Sequence, residues 1–378
     1  MIYISGEYIL ESSLKQLKLS GIDEILIVVN HKKEIIQDYF QYGKNIGLKL
    51  NYIHQKEEQG IGHAIKICAE HLKDEEPFLL IYGDVLFGGN HFRRLLDDFK
   101  RSQGGAMATV THPFSEGSYG NIYLNHEMKI SKFIEKPEQE RLSNYIFGGT
   151  FILPHKIFQL LKEMDYSMVS LLQRLIEKNM LYASLWEEGW IDISRPWHIL
   201  LANQMIMHQW ETTMIPSSAV IDSHVNISGP VHIGENVRIS SGTTIKGPCY
   251  IGKNVFIGHN SLIREYSSIG PDSKVGYGTE VKNAVLFGKT QIGRLSFVGD
   301  SVVGENVKIG SGTMTVNYNN LGSTIQIKTD EGEFIDTELK KLGAFIGDGS
   351  MIGANHTIGP GVSIPAGKQI PDHLSISK

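Results

Sequence analysis

The stretch VHIGENVRISSGTTIKGPCYIGKNVFIGHN, residues 231–260, places an aliphatic residue at every sixth position. The same spacing runs without a break through Ile221, Ile227, Ile233, Ile239, Ile245, Ile251, Ile257, Ile263, Ile269, Val275, Val281 and Phe287. The phase slips near residues 292–303, continues at Ile309 and, after a polar insertion, resumes at Ile346, Ile352, Ile358, Ile364 and Ile370. A set of unrelated short strands would not keep one register for so long.

A period of six residues predicts a parallel β-helix, in which each hexad supplies one short strand and one corner. One apolar side chain per hexad then points into the core, and successive coils stack about 4.8 Å apart. Glycine often follows the apolar residue, as at Gly234 and Gly252, while Asn236 and Asn254 stand where a corner would tolerate positive φ. The period alone does not give the hand of the coil.

The residues before about position 211 have a different pattern, in which short apolar runs alternate with helical periodicity. We predict strands at 24–29, 48–53, 78–82, 106–111 and 145–153, and helices at 8–19, 32–40, 61–72, 91–100 and 168–179. This alternation predicts a layered α/β domain with a mainly parallel sheet. A further helix is predicted over 194–211, with Ser194 as its cap. We therefore predict domains at 1–211 and 212–378.

Composition excludes several classes of function. Of the 378 residues 41% are hydrophobic and 20% charged, and the net charge of −5 offers no basic field for nucleic acid or anionic lipid. No apolar run approaches the roughly 18 residues of a membrane span. Cys68 and Cys249 lie far apart and match no zinc or redox spacing, which indicates free thiols in a reducing compartment. We predict a cytoplasmic protein with neither a nucleic-acid nor a membrane partner.

Short motifs of possible functional meaning follow one another through the first half. They are HQKEEQGIGHAI (54–65), LLIYGDVLF (79–87), SYGNI (118–122), EKP (135–137), GGTF (148–151) and GWIDISRPW (189–197). A single one, such as YGD, is more often only the end of a strand. In this order, and followed by the hexapeptide repeat, they resemble the sugar-1-phosphate nucleotidylyltransferases with a C-terminal left-handed β-helix. The pattern is similar to the archaeal bifunctional nucleotidylyltransferase/acetyltransferases.

This resemblance implies a Rossmann-like nucleotide-binding domain, a left-handed β-helix that usually trimerises, and transfer from a nucleoside triphosphate to a sugar 1-phosphate with release of pyrophosphate. It implies Mg²⁺ held by Asp84 and Asp192, because carboxylate-bound Mg²⁺ neutralises phosphates and orients an in-line attack. The other implied contacts are Gln55 and Gly60 for the base, and Gly120, Glu135, Lys136 and Gly149 for the sugar phosphate. The identity of the base and of the sugar stays open.

The beginning of the chain departs from the family. There a strand and a G-x-G-T-R loop, then a Pro-Lys pair, precede the position that Met1 matches, and residues 1–378 contain no such stretch. We expect an α/β domain without its first strand and little or no nucleotidyl transfer by residues 1–378. Roughly five buried aliphatic side chains would be lost, on the order of 10 kcal/mol. Two explanations remain open: a start that is internal to a longer chain, or a true truncation with a non-catalytic, sugar-nucleotide-binding role.

The β-helix resembles the acetyltransferase half of the bifunctional enzymes, which implies acetyl-CoA as a possible cosubstrate. The resemblance implies that Lys282 contacts a substrate phosphate and that Asn317 and Tyr318 contact the acetyl acceptor. It also implies that Ala354 lines the CoA groove. Arg294 stands where the family has its histidine base.

Arginine keeps its proton, with a pKa above about 12, so Arg294 would not serve as a general base. His259 and His356 also lie in the repeat and are alternative bases, although solvated or structural histidines are the commoner case. The β-helix therefore has two interpretations: an acetyl-transfer site with a changed base, or mainly a trimerisation module.

Overall fold

The computed structural model describes residues 1–72, 76–102, 104–113, 119–135, 143–329 and 332–372. The chain forms two compact units: Ile9–Asp192 with Met1, and Ile193–Lys378 with Ile2–Tyr8. We call them the α/β unit and the β-helix unit. The helix after Asp192 packs with the β-helix unit. The domain limits 1–211 and 212–378 stay a prediction.

A short hairpin of β1 (Tyr3–Ile4) and β2 (Glu7–Tyr8) opens the chain. The helices of the α/β unit are α1 (Ile9–Leu19), α2 (Lys33–Phe40), α3 (Gly60–Cys68), α4 (His91–Arg101), α5 (Ile157–Glu163) and α6 (Met168–Glu177). Its strands are β3 (Glu24–Val29), β4 (Lys49–His54), β5 (Phe78–Ile81), β6 (Val85–Phe87), β7 (Ala106–Thr111), β8 (Asn121–Leu124), β9 (Ile130–Ile134), β10 (Ile146–Leu153), β11 (Leu181–Trp186) and β12 (Trp190–Asp192). Every predicted helix and strand of this half is therefore present.

The largest sheet of the α/β unit has the order β11-β7-β10-β5. Strand β11 runs parallel to β7, but β10 runs antiparallel to both of its neighbours. The prediction of a mainly parallel sheet is therefore wrong for these strands. Strand β7 is buried along its whole length, which is the environment expected at the centre of a layered sheet.

Two strands of the α/β unit are less covered than their sequences lead one to expect. Strand β3 (EILIVV) pairs with β4 and strand β5 (FLLI) with β10, and among the described residues neither has a second neighbour. Continuous aliphatic runs are typical of strands covered on both faces, yet both strands are mostly half-buried. The buried Gln16 Oε1 and Tyr52 Oη find no hydrogen-bond partner among the described residues. Strands β3 and β5 are therefore less buried than their apolar sequences predict.

The helix of the β-helix unit is α7 (His198–His208), which starts later than the predicted residue 194. Its cap position is Trp197, without a side-chain cap bond, so the prediction of Ser194 as the cap is wrong. The strands before the insertion are β13 (Val220–Ile221), β14 (Asn226–Ser228), β15 (Val231–Ile233), β16 (Arg238–Ile239), β17 (Thr244–Lys246), β18 (Cys249–Ile251), β19 (Phe256–Ile257), β20 (Leu262–Ile263), β21 (Ser267–Ile269), β22 (Lys274–Val275), β23 (Glu280–Lys282), β24 (Val285–Leu286), β25 (Gln291–Ile292), β26 (Phe297–Gly299), β27 (Val302–Val303), β28 (Lys308–Ile309) and β29 (Met314–Thr315).

The polar insertion folds as a hairpin of β30 (Gln326–Lys328) and β31 (Phe334–Asp336). The coil then resumes with β32 (Phe345–Ile346), β33 (Met351–Ile352), β34 (Thr357–Ile358), β35 (Ser363–Ile364) and β36 (Gln369–Ile370). Apart from the insertion, the strands form three parallel sheets of eight, seven and seven strands, each strand pairing with the third one along the chain. This architecture confirms the predicted parallel β-helix and is consistent with a left-handed coil.

The hexad residues fill the core of the β-helix. Ile245, Ile251, Ile257 and Ile263 are all completely buried, and each such side chain contributes about 1.5–3 kcal/mol relative to exposure. The slip in phase occurs earlier than the sequence suggested. Strand pairing places Leu286 beside Ile269, so this coil is one residue shorter than the preceding coils. The core residue is therefore Leu286, and the prediction that Phe287 continues the hexad series is wrong.

Helix α7 and the amino-terminal hairpin cover one outer face of the β-helix. Asn203 of α7 is fully buried, accepts a hydrogen bond from Ser5 Oγ at 2.8 Å and donates to the carbonyl of Tyr266 at 2.7 Å. The hydroxyl groups of Tyr3 and Tyr250 form a hydrogen bond of 2.9 Å. These contacts explain why helix α7 packs with the second unit.

Candidate functional site

Two carboxylates from distant parts of the chain meet at one end of a strand pair in the α/β unit. Strand β12 pairs antiparallel with β6, and Asp192 lies opposite Val85. Asp84 immediately precedes Val85, so the two acidic residues of the YGD and WID motifs occupy adjacent positions. The structure therefore brings together the two residues for which the sequence resemblance implied a shared metal.

The electrostatics of this pair favour a cation. Burial and the charge of Asp84 raise the pKa of Asp192 to about 6, and burial also raises the pKa of Asp84. Each ionised carboxylate makes the ionised form of the other less favourable. Among the described residues no group of three or more histidine, cysteine or acidic side chains could hold a metal. Two carboxylates suit Mg²⁺, which is commonly bound through one or two carboxylates, water and substrate phosphate.

Two tyrosines flank the carboxylates, and the sequence analysis did not single them out. Burial and the charges of Asp192 and Asp84 raise the pKa of Tyr119 to about 12. Burial together with the charges of Asp84 and Glu135 raises the pKa of Tyr82 well above its ordinary value. Glu135 therefore lies in the same neighbourhood as the pair. The only signal in the sequence is that each tyrosine stands beside a motif glycine, in YGD and SYGN.

Both glycines that were predicted to face the sugar are required by packing. Gly149 has φ of +79°, and a Cβ there would come within 2.9 Å of Val85 and 3.1 Å of the Tyr82 ring. A Cβ at Gly120 would collide with the ring of Phe133. These contacts place Gly149 beside the carboxylate pair, whereas the role of both glycines in binding sugar stays a prediction.

The two residues predicted to bind the base are in contact. Gln55 Nε2 donates to the carbonyl of Gly60 at 3.1 Å and lies 3.2 Å from His63 Nδ1. Gly60 has φ of +78°, and a Cβ there would meet nothing within 4 Å. The surface above Gly60 is thus open to a flat ring. Lys136, the predicted phosphate contact, lies outside the described residues.

A second candidate site is a pocket on the β-helix. Its lining residues are Arg264, Lys282, Phe297, Asn317, Tyr318 and Lys341. The register that pairs Ile263 with Val281 places Arg264 and Lys282 side by side on successive coils. Lys282, Asn317 and Tyr318 thus come together as the resemblance implied, and Arg264 and Lys341 join them although no motif marked them.

The cations of this pocket are unequally neutralised. Arg264 Nη1 lies 3.0 Å from a Glu280 oxygen, and Lys282 Nζ lies 3.5 Å from Asp300 Oδ2. Within the part of the chain that the structure describes, no carboxylate pairs with Lys341, which is exposed. The pocket therefore combines cations, an amide and two aromatic side chains, a set of groups suited to a phosphorylated polar ligand.

Arg294 is not among the residues that line the pocket. Its guanidinium lies over the Tyr277 ring, 4.8 Å from the centroid, and donates to the Tyr277 hydroxyl. Ala354 also lies outside the lining, and its N–H donates to Asp372 Oδ1 at 2.7 Å. The assignments of both residues to acetyl transfer are therefore untested by the geometry of the pocket.

Neither alternative histidine lines the pocket. His356 is buried, with Nε2 2.7 Å from the carbonyl oxygen of Pro371. His259 is exposed, with Nδ1 3.3 Å from the carbonyl oxygen of Ser241. No general base for an amine is thus evident among the described lining residues.

Two family models match parts of this chain. A family model described as Nucleotidyl transferase matches residues 1–209, and one described as GMPPB C-terminal domain matches residues 245–332. A "Bifunctional protein GlmU" from Methanococcus maripaludis is 36% identical, with 96% of this chain and 86% of that protein covered. One from Methanococcus vannielii is 30% identical over 100% of this chain and 89% of that protein.

Another curated relative is a "Bifunctional sugar-1-phosphate nucleotidylyltransferase/acetyltransferase" from Sulfurisphaera tokodaii, 31% identical over 96% of this chain and 88% of its own length. A solved structure of a putative glucose-1-phosphate thymidylyltransferase from Bacillus anthracis is similar in fold, with a TM-score of 0.50 and 19% identity, over 54% of this chain and 84% of that one. In the described part of the chain, no helix has the length and apolar character needed to cross a bilayer.

Proposed function

Since the chain belongs to the nucleotidyl transferase family, we propose that its α/β unit is built for the reaction of a nucleoside triphosphate with a sugar 1-phosphate, which gives an NDP-sugar and pyrophosphate. The observation that carries this proposal is the carboxylate pair of Asp84, which immediately precedes strand β6, and Asp192, on the neighbouring strand β12. Burial raises the pKa of both carboxylates, and the charge of Asp84 raises that of Asp192 further, so the ionised pair is costly without a cation, which the reaction needs.

The residues of the site have separate roles in this proposal. Asp84 and Asp192 hold Mg²⁺, which when bound neutralises phosphate charge and orients the reacting groups. Gln55 hydrogen-bonds the edge of the base, which lies over the open surface of Gly60. Glu135 accepts hydrogen bonds from sugar hydroxyls. Lys136, Gly120 and Gly149 stay assigned to the sugar phosphate on the family's pattern alone.

Metal binding tests the carboxylate pair directly. We expect Mn²⁺, used as a spin-active substitute for Mg²⁺, to bind the purified protein in the presence of UTP. Asp84→Asn should weaken this binding at least tenfold, about 1.4 kcal/mol, because one of two anionic ligands is lost. Asp272→Asn is the matched control, since Asp272 is an exposed carboxylate of the β-helix unit. Equal Mn²⁺ binding by Asp84→Asn and by the parent protein would refute the assignment.

We further propose that residues 1–378 by themselves turn over slowly, since they contain no G-x-G-T-R stretch. The half-burial of the aliphatic strands β3 and β5 supports this proposal, because continuous aliphatic runs are typical of strands that are covered on both faces. A pyrophosphate-release assay with each of the four nucleoside triphosphates and glucose 1-phosphate checks it. Release at rates typical of enzymes, about 1–1,000 per second, would contradict it.

A second function is favoured by the pocket on the β-helix. Arg264, Lys282 and Lys341 line the pocket together with Asn317 and Tyr318, a set of groups that suits an amino-sugar phosphate as acetyl acceptor. The departure at Arg294 makes acetyl-CoA-dependent transfer the lesser candidate. Thiol release from acetyl-CoA with glucosamine 1-phosphate tests it, with Arg294→His beside the parent protein. Activity in the variant alone would show an intact site that lacks its base, and activity in the parent would refute the argument from Arg294.

The assembly and cellular location stay proposals as well. A homotrimer is supported by large apolar side chains exposed on the β-helix, among them Leu295 at 63% and Met314 at 51% exposure. Light scattering coupled to size exclusion would give the mass, and a monomer would refute the trimer. A cytoplasmic location and the alternative of a non-catalytic scaffold depend on the sequence arguments alone.

A further inference from the structure

Asp300 is a charged residue placed inside the β-helix unit, next to the pocket lined by Arg264, Lys282, Phe297, Asn317, Tyr318 and Lys341. It follows strand β26 and is only 5% exposed. Its Oδ1 accepts a hydrogen bond from Asn283 Nδ2 at 2.7 Å. Its Oδ2 accepts from Asn317 Nδ2 and lies 3.5 Å from Lys282 Nζ. The carboxylate is therefore surrounded by three donors, two of which belong to pocket residues.

The main chain of Asp300 holds the same neighbours. Its N–H donates to the carbonyl of Lys282 at 2.9 Å, and its carbonyl accepts from the N–H of Gly343 at 2.7 Å. Gly343 comes two residues after Lys341, where the chain returns from the insertion. A Cβ at Gly343 would collide with the carbonyl of Gly299, so this approach needs a glycine. Asp300 thus joins the three segments that carry Lys282, Asn317 and Lys341.

The network continues away from the pocket to helix α7. Gln204 Nε2 donates to Asn283 Oδ1 at 2.8 Å, which fixes the amide so that its Nδ2 faces Asp300. Asn283 is not a pocket-lining residue, and it reaches the pocket through Asp300. A buried carboxylate is a poor way to gain stability, because its desolvation offsets the attraction of its partners. Its presence here points to a requirement for geometry.

We propose that Asp300 is the positioning residue of this pocket: it contacts no ligand but holds the Lys282 ammonium and the Asn317 amide in place for a phosphorylated sugar. The inference rests on the proposed function of the pocket as a sugar-phosphate site. The inference predicts the direction in which the removal of Asp300 changes ligand binding. If Asp300 served only as a negative charge near the pocket, its removal would strengthen the binding of an anion. If it positions the two donors, its removal weakens binding.

The test uses the full chain with glucosamine 1-phosphate as probe, titrated by calorimetry. For Asp300→Asn, which keeps the volume and removes the charge, we expect binding about tenfold weaker, as for the loss of charge-assisted hydrogen bonds. Asp272→Asn is the charge-matched control. Both aspartates have a positive φ, 48° at Asp300 and 59° at Asp272, and Asp272 accepts a hydrogen bond from the amide of Asn254, outside the pocket. Unchanged or tighter binding by Asp300→Asn overturns the inference.

A double-mutant cycle separates positioning from general damage to the fold. In a Lys282→Met background, Asp300→Asn should weaken binding much less than in the parent protein, because the Lys282 ammonium that Asp300 positions is already absent. Additive losses would overturn the inference. If Asp300→Asn fails to fold, Asn283→Ala replaces it, with binding about threefold weaker expected. A folded Asn283→Ala protein that binds like the parent would also overturn it.

The outcomes distinguish the two proposals. If the parent protein does not bind glucosamine 1-phosphate, the pocket function fails and the inference fails with it. If the parent binds and Asp300→Asn binds as well or better, only the positioning role fails.

Discussion

The β-helix unit and the α/β unit differ in how far along the chain each strand finds its partner. In the β-helix, Ile263 pairs with Ile245 on one side and Val281 on the other, so the same short interval separates partners in these successive coils. In the α/β unit, β7 pairs with β10 and with the much later β11. The comparison teaches that a periodic sequence determines which strands pair. In an aperiodic sequence, strand order depends on packing across the whole unit.

The largest effect should separate the two kinds of core. Ile263 is completely buried and Ile27 on β3 is half-buried. We expect Ile263→Ala to lower the free energy of unfolding by about 2–5 kcal/mol and Ile27→Ala by about 1 kcal/mol. Urea denaturation of both variants measures the difference. Equal losses would mean that β3 is as well packed as the β-helix core, which would break the comparison.

The one-residue slip gives a second contrast, within the β-helix itself. Leu286 is completely buried while its neighbour Phe287 is not. Leu286→Ala should cost about 2–5 kcal/mol, because it leaves a cavity, and Phe287→Ala about 1 kcal/mol. The unfolding midpoints of the two variants in urea measure the ranking. A greater loss of stability for Phe287→Ala than for Leu286→Ala would mean that the hexad series continues without a slip.

Two glycines of the α/β unit separate backbone strain from collision. Gly149 and Gly60 have nearly the same positive φ, +79° and +78°, but only at Gly149 would a Cβ meet other atoms. Gly60→Ala should lower the free energy of unfolding by about 1 kcal/mol, because it adds backbone strain alone. Gly149→Ala should lower it by about 1–3 kcal/mol more, because the new Cβ also collides with other atoms. Thermal unfolding checks the order. Equal costs would show that Tyr82 moves freely aside, and would weaken its assignment to a fixed site.

The carboxylate pair makes the α/β unit sensitive to pH. The pKa of Asp192 is raised from 3.8 to about 6 in the folded protein, so its contribution to stability is present below about pH 4 and is lost as the pH rises through 6. In EDTA, the melting temperature of the parent protein should therefore fall relative to Asp192→Asn between about pH 4 and pH 6, the unfolded and folded pKa values of Asp192. Added Mg²⁺ should reverse the fall. Parallel pH profiles for both proteins would contradict this prediction.

The smallest effect concerns Arg294. Its contact with the Tyr277 ring is exposed, so Arg294→Ala should cost only about 0.5–1 kcal/mol. Because Arg294 lies outside the pocket lining, binding of glucosamine 1-phosphate should stay within about twofold of the parent, 0.4 kcal/mol. Calorimetry measures this binding, with Lys282→Met as the positive control. A large loss would place Arg294 in the pocket after all.

Much of the candidate site was accessible from the sequence because each motif is local. Asp84, Asp192, Gln55 and Gly60 were identified by short stretches, and the structure brings them together in pairs. Tyr82 and Tyr119 were missed because their importance depends on the charges that face them, which no nearby residue encodes. Asp300 was missed for the same reason: its three donors, Lys282, Asn283 and Asn317, come from the end of strand β23 and from the residues after strand β29.

By itself, the sequence determined the β-helix, its core residues up to Val281 and the existence of every predicted helix and strand, because hydrophobic periodicity acts over a few residues. Only the tertiary structure decided the mixed sheet order, the shortened coil at Leu286 and the packing of α7 on the β-helix. Phe287 and Leu286 are both apolar, so a pattern of residue types could not choose between them. The choice belongs to the stacking of one coil on the next, where only one side chain can point inward.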